Sequence, residues 1–482
     1  MSDKNITKNI TESADAVEET SGLKISRRNI IKAIPGIVLV PGLATLVPSQ
    51  TARAEGLADV GPIPGHWSPT DLNRPFIDGA KGQDLWKRAD KVLPSFGVFL
   101  TRSARFAGYN VWPGFIGKAE GCRVEDVDGR QYLDFNCGNG PNLLGYRHPE
   151  IEAAAAEQTA QGDLMPNFPP TMIEFCERLL KWTDGFDWVV PSKRGSDATE
   201  LAMRVARVAT KRPHIIMFQH FYHGTNKEQS ILYEGIPGDA HSHVSRLAWN
   251  NVAALDNFST DNGEKVAAIM LNPIEQGSGT PTISATPEFI AALERFRRRT
   301  GALIILDDVR AGFRIHPLGS HKELGIKPDL LCLGKTLGNG YSVAAVMGTK
   351  SIKGGAERLL YTSTYIFSAV CFKAGVATLD IYERDNAFQK MSRAGKRLIT
   401  GIETAAKKHG QKISFSGPPT HPTMLYDNDP RGALMEHFCH ESAIRGALYH
   451  PRLPWFLSAA HDDAAVDEGI DIADKAFATM ES

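Results

Sequence analysis

One lysine follows a run of four apolar residues, at a position where an amine can do chemistry. The run Leu330-Leu-Cys-Leu leads directly into Gly334-Lys335, and Gly338 and Gly340 follow shortly after. A continuous apolar run bounded by turn residues is typical of a buried parallel strand, and open α/β sheets bind their ligands at the carboxyl ends of such strands. Partial desolvation there lowers the pKa of a lysine and makes its amine a nucleophile towards carbonyl groups. On this stretch alone, a surface lysine in a loop is the alternative interpretation.

A carboxylate stands in the same place at the end of a second apolar run. Leu303-Ile-Ile-Leu precedes the paired acids Asp307 and Asp308, and the distance to Lys335 along the chain suits a loop and one further strand. Pyridoxal phosphate (PLP) requires a lysine that forms a Schiff base and a carboxylate that keeps its ring nitrogen protonated, so that the ring can act as an electron sink. The two strand ends therefore predict a PLP site.

These residues resemble the class III aminotransferases and, within them, the branch that is similar to glutamate-1-semialdehyde aminomutase. That family has a strand ending Asp-Glu-Val, then Gly-Phe-Arg, Pro-Asp and a Gly-Lys ahead of Gly-x-Gly. The matching segments here are Asp307-Asp-Val309, Gly312-Phe-Arg314, Pro328-Asp and Gly334-Lys335. The resemblance implies that Lys335 is the Schiff-base lysine, that Asp307 partners the ring nitrogen and that Val309 packs on one face of the ring.

Two motifs earlier in the chain fit the same family. A strand beginning at Trp188 leads through Gly195-Ser196 into an amphipathic helix, and backbone amides at a helix N-terminus bind anions. An N-capped surface helix is the alternative, but the resemblance to the family's Asn-Ser-Gly-Thr-Glu-Ala turn implies that Gly195 and Ser196 hold the cofactor phosphate. Further on, Tyr222-His223-Gly224 matches the family's Tyr-His-Gly. It implies that Tyr222 stacks on the pyridine ring and that His223 also belongs to the cofactor site.

Two other stretches match only in part. Asn272-Pro273 stands where the family usually has Glu-Pro, and that acid normally answers a cationic group on the substrate side, so the substrate class stays open. Glu275 is a candidate replacement for it. Thr364 corresponds to a threonine that reaches the partner subunit's cofactor phosphate, although the family's following Gly-Asn-Pro is absent here. This match implies a homodimer with shared active sites.

The N-terminus has the pattern of an export signal. Residues 1–25 are polar, and Arg27-Arg28 is followed by an apolar segment and by the small-x-small sequence Ala52-Arg53-Ala54. Such an arrangement is typical of a secretory signal, and the consecutive arginines resemble a twin-arginine (Tat) signal. We predict export by the Tat pathway to the periplasm or beyond, with cleavage after Ala54. The apolar segment is shorter than the ~20 residues that span a bilayer, so a membrane anchor is the weaker alternative and no stable insertion is expected after cleavage.

Composition excludes several other classes of function. The chain has 482 residues, 42% of them hydrophobic, and a net charge of −1, which is typical of a globular protein and offers no electrostatic footprint for nucleic acid. The six cysteines form no Cys-x-x-Cys pair, so neither a zinc site nor a disulfide framework is indicated. His220 and His223 lack an acidic partner at zinc-binding spacing, and we expect no metal.

Strands and helices alternate from residue 130 to residue 375, which predicts a mostly parallel sheet with helices on both faces. With the resemblance, this implies an α/β enzyme of PLP-dependent transferase fold type I. The predicted parts are a signal peptide over residues 1–54, an arm and part of a small domain over 55–129, a large PLP-binding domain over 130–375 and a small α+β domain over 376–482. The segment from His450 to His461 resembles the family's late strand.

The function implied is amino transfer between an amine or amino acid and a carbonyl acceptor through Lys335. Once free, the lysine would act as the general base. An intramolecular amino shift is the first alternative. A non-catalytic relative that binds PLP is the second, and the changes at Asn272 and at Lys193-Arg194 leave this alternative open.

Overall fold

Fifteen strands form four sheets within the residues that a computed structural model of the chain describes, which are 77–94, 110–231 and 235–480. In chain order the strands are β1 (Ile116–Glu120), β2 (Arg123–Asp126), β3 (Gln131–Asp134), β4 (Trp188–Ser192), β5 (His214–Phe218), β6 (Val244–Leu247), β7 (Val266–Leu271), β8 (Ile274–Glu275), β9 (Ile283–Ser284), β10 (Leu303–Asp307), β11 (Leu330–Leu333), β12 (Ala344–Gly348), β13 (Ile413–Ser416), β14 (Thr423–Tyr426) and β15 (Ala447–Leu448).

The largest sheet has seven strands in the order β4-β12-β11-β10-β7-β5-β6. Strands β11, β10, β7, β5 and β6 pair in parallel, whereas β12 runs antiparallel to both β11 and β4. It follows that β4 runs in the same direction as the parallel strands. Six strands thus present their carboxyl ends at one edge, and the predicted mostly parallel sheet is confirmed.

The central strands are apolar throughout because both of their faces are covered. All six residues of β7 and all four of β11 are buried. The helices of the described residues are α1 (Ala80–Val92), α2 (Pro149–Gln161), α3 (Pro170–Trp182), α4 (Gly195–Thr210), α5 (Val252–Asn262), α6 (Pro287–Thr300), α7 (His321–Leu324), α8 (Lys353–Glu357), α9 (Ala369–Arg384), α10 (Ala387–Lys408), α11 (Ala433–Ile444) and α12 (Asp463–Ala478).

Local signals set where these helices begin and end. Helix α6 begins after Thr286, whose hydroxyl oxygen accepts a hydrogen bond from the Phe289 amide (3.2 Å), and it has Pro287 in its first turn. It ends at Gly301, which has a φ of 73°, a left-handed conformation that favours glycine. Helix α6, which lies between β7 and β10 in the chain, therefore has both its start and its end set by local sequence.

A second sheet joins the two ends of the described chain. Its order is β1-β2-β3-β15, with β15 parallel to β3. Strands β2 and β3 form an antiparallel hairpin whose turn contains Gly129 at a φ of 93°, as expected for a tight Asp-Gly turn.

The strand expected between His450 and His461 was wrong. The strand lies earlier, at β15, and residues 450–461 contain no strand or helix. Pro451 and Pro454 lack amide donors, so this stretch cannot supply a continuous ladder. Its amides bond to separate segments instead: Phe456 donates to the Phe135 carbonyl (2.7 Å) and Leu457 to the Thr420 carbonyl (3.0 Å).

The predicted signal peptide, residues 1–54, lies outside the described residues, as do residues 55–76 and 95–109 of the part that follows it. No helix of the described residues combines the length and the apolar character needed to cross a membrane. The division at residue 375 into large and small domains stays a prediction.

Candidate active site

Loops at the carboxyl ends of five strands of the large sheet, β4, β5, β7, β10 and β11, line one cleft. The residues around it are Gly195, Ser196, Thr199, His220, Phe221, Tyr222, His223, Gly224, Asn272, Pro273, Ile274, Gln276, Asp307, Val309, Arg310, Ala311 and Lys335. Seven of the eight predicted site residues are among them. The exception, Thr364, is exposed in a short 3₁₀ segment, Thr364–Phe367, and does not line the cleft.

Lys335 follows β11 after a single glycine. Its φ of 34° is left-handed, a conformation that costs a non-glycine residue about 1–2 kcal/mol and is concentrated at functional sites. Gly334 allows this approach, because a Cβ there would lie 3.2 Å from Val309 Cγ1. Burial lowers the pKa of Lys335 to about 7; the nearby charge of Arg310 lowers it further and Asp307 opposes the change. A large fraction of the amine is therefore neutral, and nucleophilic, at neutral pH.

Asp307, the last residue of β10, is held by hydrogen bonds on both carboxylate oxygens. Oδ2 lies 2.8 Å from His223 Nδ1, and Oδ1 accepts from the Val309 amide (3.2 Å). His223 is itself fixed, since its carbonyl oxygen accepts from the Thr199 hydroxyl (2.6 Å). Asn272 Nδ2 donates to the Asp307 carbonyl (3.1 Å). The carboxylate is thus kept in one orientation at the floor of the cleft.

The adjacent acid has a different environment. Asp308 is buried outside the cleft lining and accepts two hydrogen bonds from Ser320, one from its amide (2.8 Å) and one from its hydroxyl (2.6 Å). Burial raises the pKa of Asp308 to about 6, although the Ser320 hydrogen bonds oppose this. Of the two acids, only Asp307 is available to a ligand.

The N-terminus of α4 forms another wall of the cleft. Gly195 lies close to the loop after β10, and a Cβ on it would come within 2.6 Å of Val309 Cγ1. At Gly224, which has a φ of 131°, an added Cβ would lie 2.7 Å from the Ser196 hydroxyl oxygen. The first amides of a helix have no intrahelical partner, so this turn is suited to an anion. The Arg194 guanidinium is paired with Asp197 (2.6 Å) outside the lining of the cleft.

Tyr222 contributes an accessible aromatic face. It is 47% exposed although it lines the cleft, so a flat ligand can reach its ring. Burial of the remainder raises the pKa of Tyr222, and a hydrogen bond with Ser196 opposes the rise. The hydroxyl therefore stays protonated at neutral pH.

Sequence reasoning assigned no role to Arg310, Gln276 or Thr199. Arg310 lies in the quoted run after Asp307, but an arginine beyond a strand end can turn to either side, and nothing local indicated the cleft. Gln276, rather than the expected candidate Glu275, lines the cleft. Thr199 supports His223 from one turn inside α4, a contact that only the tertiary structure reveals.

The lowered pKa of Lys335 leads to a prediction for the protein without ligand. Because only neutral amines are arylated, timed modification by trinitrobenzenesulfonate should reach half its limiting rate at Lys335 near pH 7, whereas an unperturbed lysine requires a pH near ~10.4. Mass spectrometry of the modified peptides gives the midpoint. Replacing Arg310 with glutamine should move the midpoint upward, since a neighbouring positive charge is removed. A midpoint near that of free lysine in the wild type would contradict the desolvated site.

Comparison with known proteins agrees with this geometry. The family model for aminotransferase class-III matches residues 107–415. Aminopentol aminotransferase of Sphingopyxis macrogoltabida is 34% identical over 407 residues, which cover 84% of this chain and 96% of that protein.

Solved structures give the same result. The FumI protein of Sphingopyxis sp. MTA144, in a PLP form, superposes with a TM-score of 0.81 at 33% identity, over 83% of this chain and 97% of that one. An omega-transaminase from Sphaerobacter thermophilus shares the fold, with a TM-score of 0.75 at 23% identity over 83% of this chain and 98% of that one. The chain belongs to the class III aminotransferases, PLP-dependent enzymes of transferase fold type I.

Proposed function

We propose that amino transfer takes place in this cleft, with Lys335 as the covalent attachment point of PLP and Asp307 as the partner of its ring nitrogen. One observation carries the proposal. An amine whose pKa is lowered to about 7 and a carboxylate held by His223 line the same cleft. These are the two groups that PLP chemistry requires from the protein.

The remaining residues of the cleft fit the cofactor. The unpaired amides at the N-terminus of α4 and the Ser196 hydroxyl suit a phosphate. Gly195 leaves the space beside Val309 that a larger residue would fill, and the accessible ring of Tyr222 suits a flat heterocycle. When bound, PLP supplies an electron sink for negative charge that develops on the reacting carbon of the substrate.

The side chains of the chain itself carry the proton transfers. A free Lys335 takes a proton from the reacting carbon, and a base is most effective when its pKa is close to the working pH. Asp307 keeps a proton on the ring nitrogen through its negative charge, while His223 and the Val309 amide prevent it from turning away. Tyr222 and Val309 restrict the ring, so that the bond to be broken stays aligned.

We further propose that the amino donor is an amine of the aminopentol type. Support comes from the relative named for that substrate, which is 34% identical over most of both chains. An intramolecular amino shift is the second candidate, because Gly312-Phe-Arg314 resembles the branch similar to glutamate-1-semialdehyde aminomutase. A requirement for a separate carbonyl acceptor distinguishes the two.

Two substitutions test the assignment of the cleft. Lys335→Ala should abolish the PLP adduct that borohydride fixes at this residue. Asp307→Ala should still form the adduct but lower turnover by at least about 10²-fold, as is typical when an electrostatic stabiliser is removed. Lys327→Ala, which removes an exposed lysine, is the matched control and should retain both properties.

The measurement is the change in cofactor absorbance when amines and amino acids are added without, and then with, a carbonyl acceptor. A fixed adduct at another lysine would remove the role of Lys335. Full turnover by Asp307→Ala would remove the ring-nitrogen assignment, and turnover without any added acceptor would favour the intramolecular shift.

We also propose a homodimer in which Thr364 contacts the phosphate bound by the partner. Thr364 is exposed, and apolar side chains beside it are unusually open, with Leu360 93% and Tyr365 64% exposed. Exposed apolar clusters of this kind mark protein interfaces. The resemblance of Thr364 to the family's bridging threonine supports the same arrangement.

Mixed dimers test this sharing. Thr364→Ala alone should weaken PLP binding by about 10-fold, because a hydrogen bond to a charged group is lost. A dimer of one Lys335→Ala subunit and one Thr364→Ala subunit places both defects in one site, so the other site should bind PLP with wild-type affinity. Equilibrium dialysis of tagged hybrids measures this. If no hybrid site recovers, Thr364 does not act across the interface.

Finally, we propose export by the Tat pathway, on the evidence of Arg27-Arg28 and the small-x-small sequence ending at Ala54. Replacing both arginines with lysine preserves charge but removes the twin-arginine pattern, and should retain the protein in the cytoplasm. Fractionation of cells that produce the full chain, with N-terminal sequencing of the exported form, checks both localisation and cleavage. Unchanged export of the lysine variant would contradict a Tat route.

A further inference from the structure

Lys193 and Cys371 form an amine–thiol pair outside the cleft. Lys193 Nζ donates to Cys371 Sγ over 3.0 Å. Lys193 directly follows β4 and precedes the Gly195-Ser196 turn, whereas Cys371 lies in the first turn of α9. Both side chains are half-buried, and neither lines the cleft. The family's turn has an asparagine where this chain has Lys193, so the chemistry that the family shares does not account for the pair.

Contacts on both sides keep the amine and the thiol in place. The Lys193 carbonyl oxygen accepts a hydrogen bond from the Ser342 hydroxyl (3.0 Å), which fixes the backbone of the lysine. On the other side, the Ser368 hydroxyl donates to Asp163 (2.9 Å) and lies 3.4 Å from Cys371 Sγ. The Val370 amide also donates to Asp163 (3.3 Å), so the start of α9 is anchored next to the sulfur. The short distance between nitrogen and sulfur is therefore built into the fold.

Cys371 has the surroundings of a reactive thiol. Reactive cysteines are partly exposed and lie at helix N-termini or next to basic side chains, and Cys371 combines these features. Cys176, the other half-buried cysteine, lies in the middle of α3, and burial raises the pKa of its thiol to about 12. A peroxide converts a reactive thiol to a sulfenic acid, which can condense with a neighbouring nitrogen. Lys193 places such a nitrogen beside Cys371.

We propose that Lys193 and Cys371 form a modification site, at which a peroxide joins the two side chains by a covalent sulfur–nitrogen bond. In the first step the thiol takes one oxygen from the peroxide, so that sulfur is oxidised to a sulfenic acid and hydrogen peroxide is reduced to water. In the second step the neutral amine attacks the sulfur. The sulfur–nitrogen bond forms, the sulfur–oxygen bond breaks, and the hydroxyl group leaves as water with a proton from the amine.

The cross-link would connect two segments that flank the cleft. Lys193 precedes the turn that suits a phosphate, and α9 packs against the segment Lys335–Gly338, since a Cβ on Gly375 would lie 3.4 Å from the Leu337 carbonyl oxygen. A covalent link between residues so distant in the chain restricts the unfolded state, so oxidation should stabilise the fold. The site requires neither PLP nor turnover. The proposed export would bring it into a compartment where oxidised thiols persist.

The test exposes the reduced, PLP-loaded protein to hydrogen peroxide and identifies the products by proteolysis and mass spectrometry. The wild type should yield joined peptides that contain residues 193 and 371, with the sum of their masses less two hydrogen atoms, and dithiothreitol should separate them. The midpoint of thermal unfolding should rise on oxidation and return on reduction. Cys176→Ser, the matched control, should behave like the wild type. Cys371→Ser should form no cross-link, and peroxide should not raise its midpoint.

Lys193→Arg separates the cross-link from the reactivity of the thiol. A guanidinium keeps the positive charge beside the sulfur but stays protonated, so it supplies no nucleophilic amine. This variant should lose the joined peptides, and dimedone should trap more sulfenic acid at Cys371 than in the wild type, because no amine consumes it. A Cys371 thiol that peroxide leaves unchanged would overturn the proposal. Dimedone adducts or a disulfide at Cys371 without joined peptides in the wild type would overturn it as well.

Discussion

A buried arginine holds together the segments that frame the cleft. The guanidinium of Arg314 donates to the carbonyl oxygens of Leu457 and Gly140 and lies 5.1 Å from the ring centre of Phe456. No carboxylate of the described residues pairs with it, so carbonyl dipoles and the aromatic face must offset the loss of water. Burial accordingly lowers the pKa of Arg314 to about 10. The hydroxyl of Thr420 also donates to the Arg314 carbonyl (2.5 Å). These hydrogen bonds connect the C-terminal segments to the loop after β10.

The end of β10 and the loop after it carry four charged side chains, which have two different roles. Asp307 and Arg310 line the cleft, whereas Asp308 and Arg314 point into the protein and satisfy backbone and hydroxyl groups there. The hydrogen bonds of the buried Asp308 and Arg314 hold the loop in position. This matters because the side chains of a functional site must be held to within about 0.5 Å. The segment 307–314 thus supplies both side chains that line the cleft and side chains that anchor the loop in the protein.

Local patterns in the sequence predicted the parts of the molecule whose causes are local. Strands β7, β10 and β11 read as continuous apolar runs because both of their faces are buried, and the side chains at the ends of β10 and β11 line the cleft as expected. What escaped depends on distant contacts. The segment 450–461 is held by backbone hydrogen bonds to residues distant in the chain, such as Phe135 and Thr420, and the direction of Arg310 is set by the tertiary packing of a turn. The role of Thr364 requires a second subunit, so it stays a prediction.

The neutral side chain at position 272 leaves Asp307 as the acidic residue among the described residues that line the cleft. A carboxylate at position 272 would place a second negative charge in the cleft lining besides that of Asp307, and a nearby negative charge raises the pKa of a lysine. Asn272 instead donates to the Asp307 carbonyl (3.1 Å) and adds no charge. Burial, together with the nearby positive charge of Arg310, therefore lowers the pKa of Lys335 to about 7, and a large fraction of its amine is available as a base at neutral pH.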